Sequence, residues 1–246
     1  MSSSAFGPSW RYCKFGIIVT GAGEWEFLPS LFRALTPFGC NFRVIAKIGQ
    51  RSPITSQSKQ RKMVGTGKTI PDKDATEIGI PARKWLREMD THLLLVDDLE
   101  HDRRERVRGV FDRYRAALDT MLAADQRRRA SVHFLVNMLE AYYFADAAAI
   151  NAVLGTSLSD HVGDVEDIRH PKNELKALHR GFDEIAHGEA IVKNLDVEHV
   201  LDDPATCGSL RVLFARCVAA MGRTCGDRFR LESGVHDIVT GPQIAG

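Results

Sequence analysis

The chain has 246 residues, with 33 Lys and Arg against 32 Asp and Glu, 44% hydrophobic residues and a formal charge of +1. This balance excludes a disordered or collagen-like chain and a uniformly basic coat, and leaves room for a local basic patch. The length suits one elaborated domain or two small ones, and no apolar run is long enough to cross a bilayer, so neither a signal peptide nor a membrane segment is expected.

The first ten residues, rich in Ser and Gly, read as a loose leader. Phe15 to Val19 predicts a short buried strand. Thr20-Gly-Ala-Gly-Glu24 then turns into a helix whose apolar face carries Trp25, Phe27, Leu28, Leu31, Phe32 and Leu35, with Pro29 accommodated in the first turn. Asn41 to Ile48 alternates as a second strand, with Phe42, Val44 and Ala46 on one face. Residues 49–80 lack periodicity. Between Lys47 and Lys68 there are six basic residues and no acidic one, which predicts an exposed basic excursion. Pro81 to Glu88 reads as a short helix, Thr91 to Asp97 as a strand, and Arg103 to Ala124 as a long amphipathic helix. Ser131 to Val136 is a further strand. Asn137 to Ala149 follows as a helix capped by Asn137, with Glu140 at its third position. The alternation predicts an α/β core with a mostly parallel sheet over 12–150. Residues 151–246 read as a helical elaboration, with helices at Pro171 to His179 and Ser209 to Met221. Cys13, Cys40, Cys207, Cys217 and Cys225 form no CxxC pair, so free thiols in a cytoplasmic protein are expected.

The most informative run is Val96-Asp97-Asp98-Leu99-Glu100. In extended backbone Asp98 and Glu100 point to one side and Asp97 to the other. Carboxylates at the carboxyl end of a parallel strand supply the hard oxygen ligands that Mg²⁺ or Mn²⁺ prefers. The same run also fits a solvated strand-to-helix loop. Glu24 is either a cap-region acid of the first helix or, if the first and third strands are neighbours, a group facing the acidic run. Lys47, Arg51, Lys59, Arg61, Lys62 and Lys68, like Arg127 to Arg129, suit a phosphate backbone or a soluble surface. The histidines show no zinc spacing, and Gly65-Thr-Gly-Lys68 is an incomplete phosphate loop.

In order and spacing these elements resemble a bacterial Toprim-like family of unknown function, the DUF4276 family. The resemblance rests on Val19-Thr-Gly-Ala-Gly-Glu24 with Phe27-Leu28-Pro29, Asp97-Asp98-Leu99-Glu100, Leu139-Glu140-Ala-Tyr-Tyr-Phe-Ala-Asp146, Pro171-Lys172 and Cys207-Gly-Ser-Leu-Arg211. It implies a Toprim-like core and Mg²⁺- or Mn²⁺-dependent nuclease or related phosphoryl-transfer chemistry on nucleic acid, in bacterial antiviral defence. Glu24, Asp98, Glu100 and Glu140 would be catalytic, and Glu24, Asp97, Asp98 and Glu100 would ligate the metal. Arg51, Lys59, Arg61, Lys62, Lys68 and Lys172 would hold phosphate, with Lys172 also a partner for Glu140. Thr20 stands where the family motif carries a Glu. Either Glu24 takes that role, or the chain is a noncatalytic Toprim-derived subunit, a homodimer or the partner of an ATPase. A Glu at position 20 strengthens ion binding if a carboxylate is missing, and crowds the site if Glu24 already supplies it.

Overall fold

The computed structural model describes residues 12–55 and 70–221. Strands β1 (Cys13–Val19), β2 (Cys40–Lys47), β3 (Thr91–Leu99) and β4 (Ala130–Val136) form one parallel sheet in the order β2-β1-β3-β4. The central strands β1 and β3 are apolar on both faces because both faces are covered, as parallel sheets require. Phe15, Ile17, Val19, Leu94, Val96 and Leu135 point into one core, shared with helix α1 (Ala22–Leu31) and the C-terminal helices. Ile18, Leu93, Leu95, Phe134 and Val136 point into a second core. On that side Gly16 leaves room for an indole, since a Cβ there would lie 2.6 Å from Trp85.

The second core is closed by two helical runs. The first, α2, strings together Asp72–Asp74, a π turn at Ala75–Gly79, and Ile80–Trp85. The second is α3 (Val107–Met121), preceded by a 3-10 turn at His101–Arg106 and followed by the short α4 (Ala124–Arg128). After β4 come a 3-10 turn at Leu139–Ala145, then α5 (Ala147–Leu154), α6 (Pro171–Leu178), α7 (Ala186–Asn194), α8 (Val197–Val200) and α9 (Gly208–Ala220). Residues of all five of these helices join β1 and α1 in the first core, so the C-terminal elaboration completes that layer.

Four local expectations need correction. Pro29 lies inside α1, not in its first turn; lacking an N–H for the helix ladder, it is followed closely by a change to 3-10 winding at Phe32–Phe38, which ends at Gly39 with φ 82°. Ala46 does not share a face with Phe42 and Val44. The β1–β2 register jumps from Ile17↔Val44 to Ile18↔Ala46, and the extra residue, Ile45, resets the alternation. Helix α2 starts at Asp72, well before Pro81. Asn137 is not a helix cap: Asn137 and Met138 have φ of 55° and 75°, and the Asn137 Nδ2 donates 2.8 Å to the Glu166 carbonyl. The helical cap is Asp146, which accepts from the Ala149 amide. Cys13, Cys40, Cys207 and Cys217 are buried, while Cys225 lies outside the described residues. Among the described residues no helix is long and apolar enough to cross a membrane.

Candidate functional site

The chain leaves β1 towards β2 on one side and reaches β3 on the other, so the strand order reverses between β1 and β3. In open α/β sheets the crevice at the carboxyl ends of such a strand pair is the usual ligand site. Here that crevice lies between Thr20–Glu24, which follow β1, and Asp97–Leu99, which finish β3, with Glu100 just beyond.

β3 continues two residues beyond the expected end at Asp97, because β4 pairs with it as far as Leu99↔Val136. Asp97 and Asp98 therefore sit within the strand and are sent to opposite faces. Asp97 is fully buried on the α3 side. Its Oδ1 accepts from Thr20 Oγ1 at 2.6 Å, and its Oδ2 accepts from Arg103 Nη2 at 2.8 Å and from the Tyr114 hydroxyl at 3.0 Å. Both Asp97 oxygens are thus engaged by groups of the protein. Arg103 further clasps the Asp98 carbonyl, and Thr20 Oγ1 accepts from the Asp98 amide at 3.2 Å.

Asp98 faces the other way. It is 8% exposed, and its Oδ1 is buried with no hydrogen-bond partner. Burial first, then the charges of Glu24 and Glu140, push its carboxyl well above the usual range. Glu24 is equally buried, and its carboxyl is pushed up to about 6, chiefly by burial and further by Glu140, while its own backbone amide and Lys172 pull it down. The Glu24 side chain folds back over the helix start: a Cβ on Gly21 would lie 1.8 Å from Glu24 Oε2. Glycine at 21 is thus a condition for this carboxylate position. Glu140 is also raised by burial and held down by Lys172, whose Nζ lies 3.6 Å from Glu140 Oε1 and 3.1 Å from Glu184 Oε2. Glu24, Asp98, Glu140 and Lys172, from four separate segments, therefore share one electrostatic site.

Glu100 is exposed and borders an adjoining cavity of about 560 Å³, together with His101, Asn137, Arg169, His170 and Lys172. Glu166, which the sequence reading passed over, holds one of the lining residues, Asn137, through its carbonyl. Its carboxylate accepts from the Tyr142 hydroxyl and from the Ser209 amide and hydroxyl, and its carboxyl is pushed up to about 7, chiefly by burial.

The basic excursion divides. Arg51 is 4% exposed and bonded to Asp74 at 2.8 Å and Glu77 at 2.5 Å. Its guanidinium is thus held by two carboxylates inside the protein. Lys59, Arg61, Lys62 and Lys68 lie outside the described residues.

A second acidic set arises from folding alone. Asp146, Asp160 and His199 bring three ligand atoms within 4.8 Å of one another, the one such set of three or more among the described residues, and this set can coordinate a divalent cation. Asp146 is buried, while Asp160 and His199 are exposed and form an ion pair at 2.7 Å. The acids also receive backbone amides from Ala147, Ala149 and Asp196. Asp146 stands in the sequence motif that includes Glu140. No local signal links it to Asp160 or His199.

Thr20 gives a direct test of the site's layout. A Glu at this position forfeits both hydrogen bonds of the Thr20 hydroxyl and brings a second carboxylate against buried Asp97. Thr20→Glu is expected to cost about 2–4 kcal/mol and to weaken divalent-cation binding. A thermal melt beside a calorimetric Mn²⁺ titration checks both. Tighter binding would mean that the site lacks a carboxylate at this position.

No family model, curated protein or solved structure matches this chain.

Proposed function

We propose that the chain is a divalent-metal-dependent nuclease or related phosphodiester-processing enzyme acting on nucleic acid, with Glu24 and Asp98 as the ion-holding carboxylates. The observation that carries this reading is the buried, unpartnered Asp98 Oδ1 at the strand-order reversal, on a carboxyl that feels the charges of Glu24 and Glu140. Burial raises all three carboxyls, Glu24 and Glu140 raise Asp98 further and Glu140 raises Glu24, so the buried anions are costly, and a divalent cation removes part of that cost. The donor set, all carboxylate oxygen, suits Mg²⁺ or Mn²⁺. Such an ion, when bound, supplies Lewis-acid stabilisation of charge on a phosphoryl oxygen.

The chain's own groups have distinct parts. Asp98 and Glu24 hold the ion. Lys172 neutralises Glu140 and borders the cavity, where it meets the phosphate. Glu100, exposed at the rim, is placed to take a proton from an attacking water. Asp97 and Arg103 keep the end of β3 rigid and touch no substrate.

The test is a cleavage assay on single- and double-stranded DNA and RNA with Mg²⁺ or Mn²⁺. Asp98→Asn and Glu24→Gln should each lower turnover by roughly a hundredfold or more while leaving the fold intact. Unchanged turnover in the double variant would remove this centre. No turnover from the wild type, together with co-purification of a stoichiometric ATPase, would favour the noncatalytic subunit.

A further inference from the structure

At the opposite end of the sheet, the amino end of β4, the chain gathers positive charge. Arg115 of α3, Arg127 and Arg128 of α4 and Arg216 of α9 line one cavity of about 530 Å³, with Asp119 as its single acid. β4 has 7 residues, so this cavity lies about 20 Å along the strands from the acidic crevice at their carboxyl ends. Of the basic run Arg127 to Arg129, Arg129 turns inward and donates to the Leu86, Glu88 and Thr91 carbonyls. Arg127 and Arg128 are exposed.

Part of this charge serves the fold. Arg115 Nη1 donates 2.9 Å to the Ala130 carbonyl and Arg216 Nη2 donates 2.7 Å to the Arg128 carbonyl, which covers acceptors left over where α4 ends. That duty leaves much of the donor capacity unused. Arg115 meets Asp119 through Nε and Nη2, but Arg127, Arg128 and Arg216 have no carboxylate partner among the described residues. Arg216 Nε and Nη1 make no bond to the protein and are not among the buried atoms, so both reach solvent. Arg127 commits only its Nε, to the Leu122 carbonyl. Burial first, and then the charge of Arg115, hold the Arg216 guanidinium below its ordinary value. The same field reaches His92, which is pushed down to about 4, chiefly by burial and further by Arg216 and Arg129.

We propose that this cavity is a binding site for a phosphate-bearing anion, held by the guanidinium groups of Arg115, Arg127, Arg128 and Arg216. Three helices bring these groups in from different elements of the fold. A planar carboxylate is satisfied by one guanidinium fork, as Asp119 is by Arg115. Tetrahedral phosphoryl oxygens accept from several forks at once. Four cations against one acid suit a ligand with more than one negative charge, a diphosphate or the consecutive phosphodiesters of a nucleic-acid strand. The cavity volume admits either. The site goes beyond the nuclease reading and does not depend on it, since none of its residues belongs to the acidic crevice.

The test is calorimetry on the full chain in EDTA at low salt, with inorganic diphosphate as the probe. Arg128→Gln combined with Arg216→Met should weaken diphosphate binding by about tenfold or more. Asp119→Asn should tighten it severalfold, because the cavity loses its competing carboxylate and Arg115 gains donors for the ligand. Arginines that only support the end of α4 would show no such gain. Arg83→Gln, which removes an exposed cation outside the cavity, should leave the affinity as it is. Equal weakening by Arg83→Gln, unchanged affinity in Asp119→Asn, or no binding at about 10 mM diphosphate would overturn the proposal. Arg128→Gln alone and Asp119→Asn decide the matter even if Arg216→Met fails to fold. A single-stranded oligonucleotide that diphosphate displaces, and that weakens in the same variants, identifies a strand backbone as the ligand; diphosphate binding with no competition from the oligonucleotide identifies a free phosphorylated molecule. Asp98→Asn should bind diphosphate as the wild type does, so failure of the metal centre and failure of this site are separate results.

Discussion

Asp98→Asn should raise the stability of the metal-free protein by about 1–3 kcal/mol at neutral pH while abolishing divalent-cation binding at the end of β3. The folded state raises the Asp98 pKa, mainly through burial and then through Glu24 and Glu140. A carboxyl with a raised folded pKa is favoured by folding only while protonated. Its contribution is complete below the unfolded value of about 3.9 and is lost as pH climbs through the folded value. Asparagine keeps the shape and omits the charge, so its advantage should appear above pH 5 or so and vanish near pH 4. Urea denaturation of both proteins in EDTA at the two pH values measures this. Destabilisation by Asp98→Asn at neutral pH would show that the Asp98 carboxylate is a structural partner and not an ion-binding group.

The neighbouring substitution should do the opposite. Asp97→Asn is expected to cost about 3–5 kcal/mol. The Asp97 carboxylate is the shared acceptor for Thr20, Arg103 and Tyr114, all of them partly or fully buried. An amide in its place turns one acceptor oxygen into a donor facing donors, and leaves the Arg103 guanidinium without its counter-charge. A lower urea midpoint with an unchanged slope is the expected signature, and a loss below about 1 kcal/mol would contradict it. Two adjacent aspartates with opposite effects on stability follow from the alternation of a strand buried on both faces.

That alternation is what made the acidic end of β3 legible. The period of two separates Asp97 from Asp98 without any knowledge of the fold. It does not reveal which side meets Glu24; that depends on β1 pairing directly with β3, a long-range fact about strand order. Glu24 was readable as a helix-start acid, and its approach to Asp98 followed from that pairing. Other features had no local trace. The bulge at Ile45 depends on how β2 meets β1. Asn137 followed by Glu140 carries the spacing of a capping box, but the Glu166 carbonyl, brought in from a distant loop, captures the Asn137 amide and imposes a left-handed turn. Arg51 looked like a surface cation because its partners Asp74 and Glu77 lie beyond the basic stretch in sequence. The same limitation hid the set of Asp146, Asp160 and His199, whose members meet only when α5, the loop after it and α8 pack together.

The claim that Glu24 and Asp98 hold the ion is tested most directly by calorimetric Mn²⁺ titration of three proteins, wild type, Asp98→Asn and His199→Ala, between about pH 5 and about pH 7.5. An ion that binds the raised carboxyls must displace their protons. Affinity in the wild type should therefore climb by tenfold or more as pH passes the Glu24 value of about 6, with protons released on binding. The same rise should persist in His199→Ala and disappear in Asp98→Asn. Binding that is untouched in Asp98→Asn but lost in His199→Ala would place the ion on Asp146, Asp160 and His199 and contradict the account.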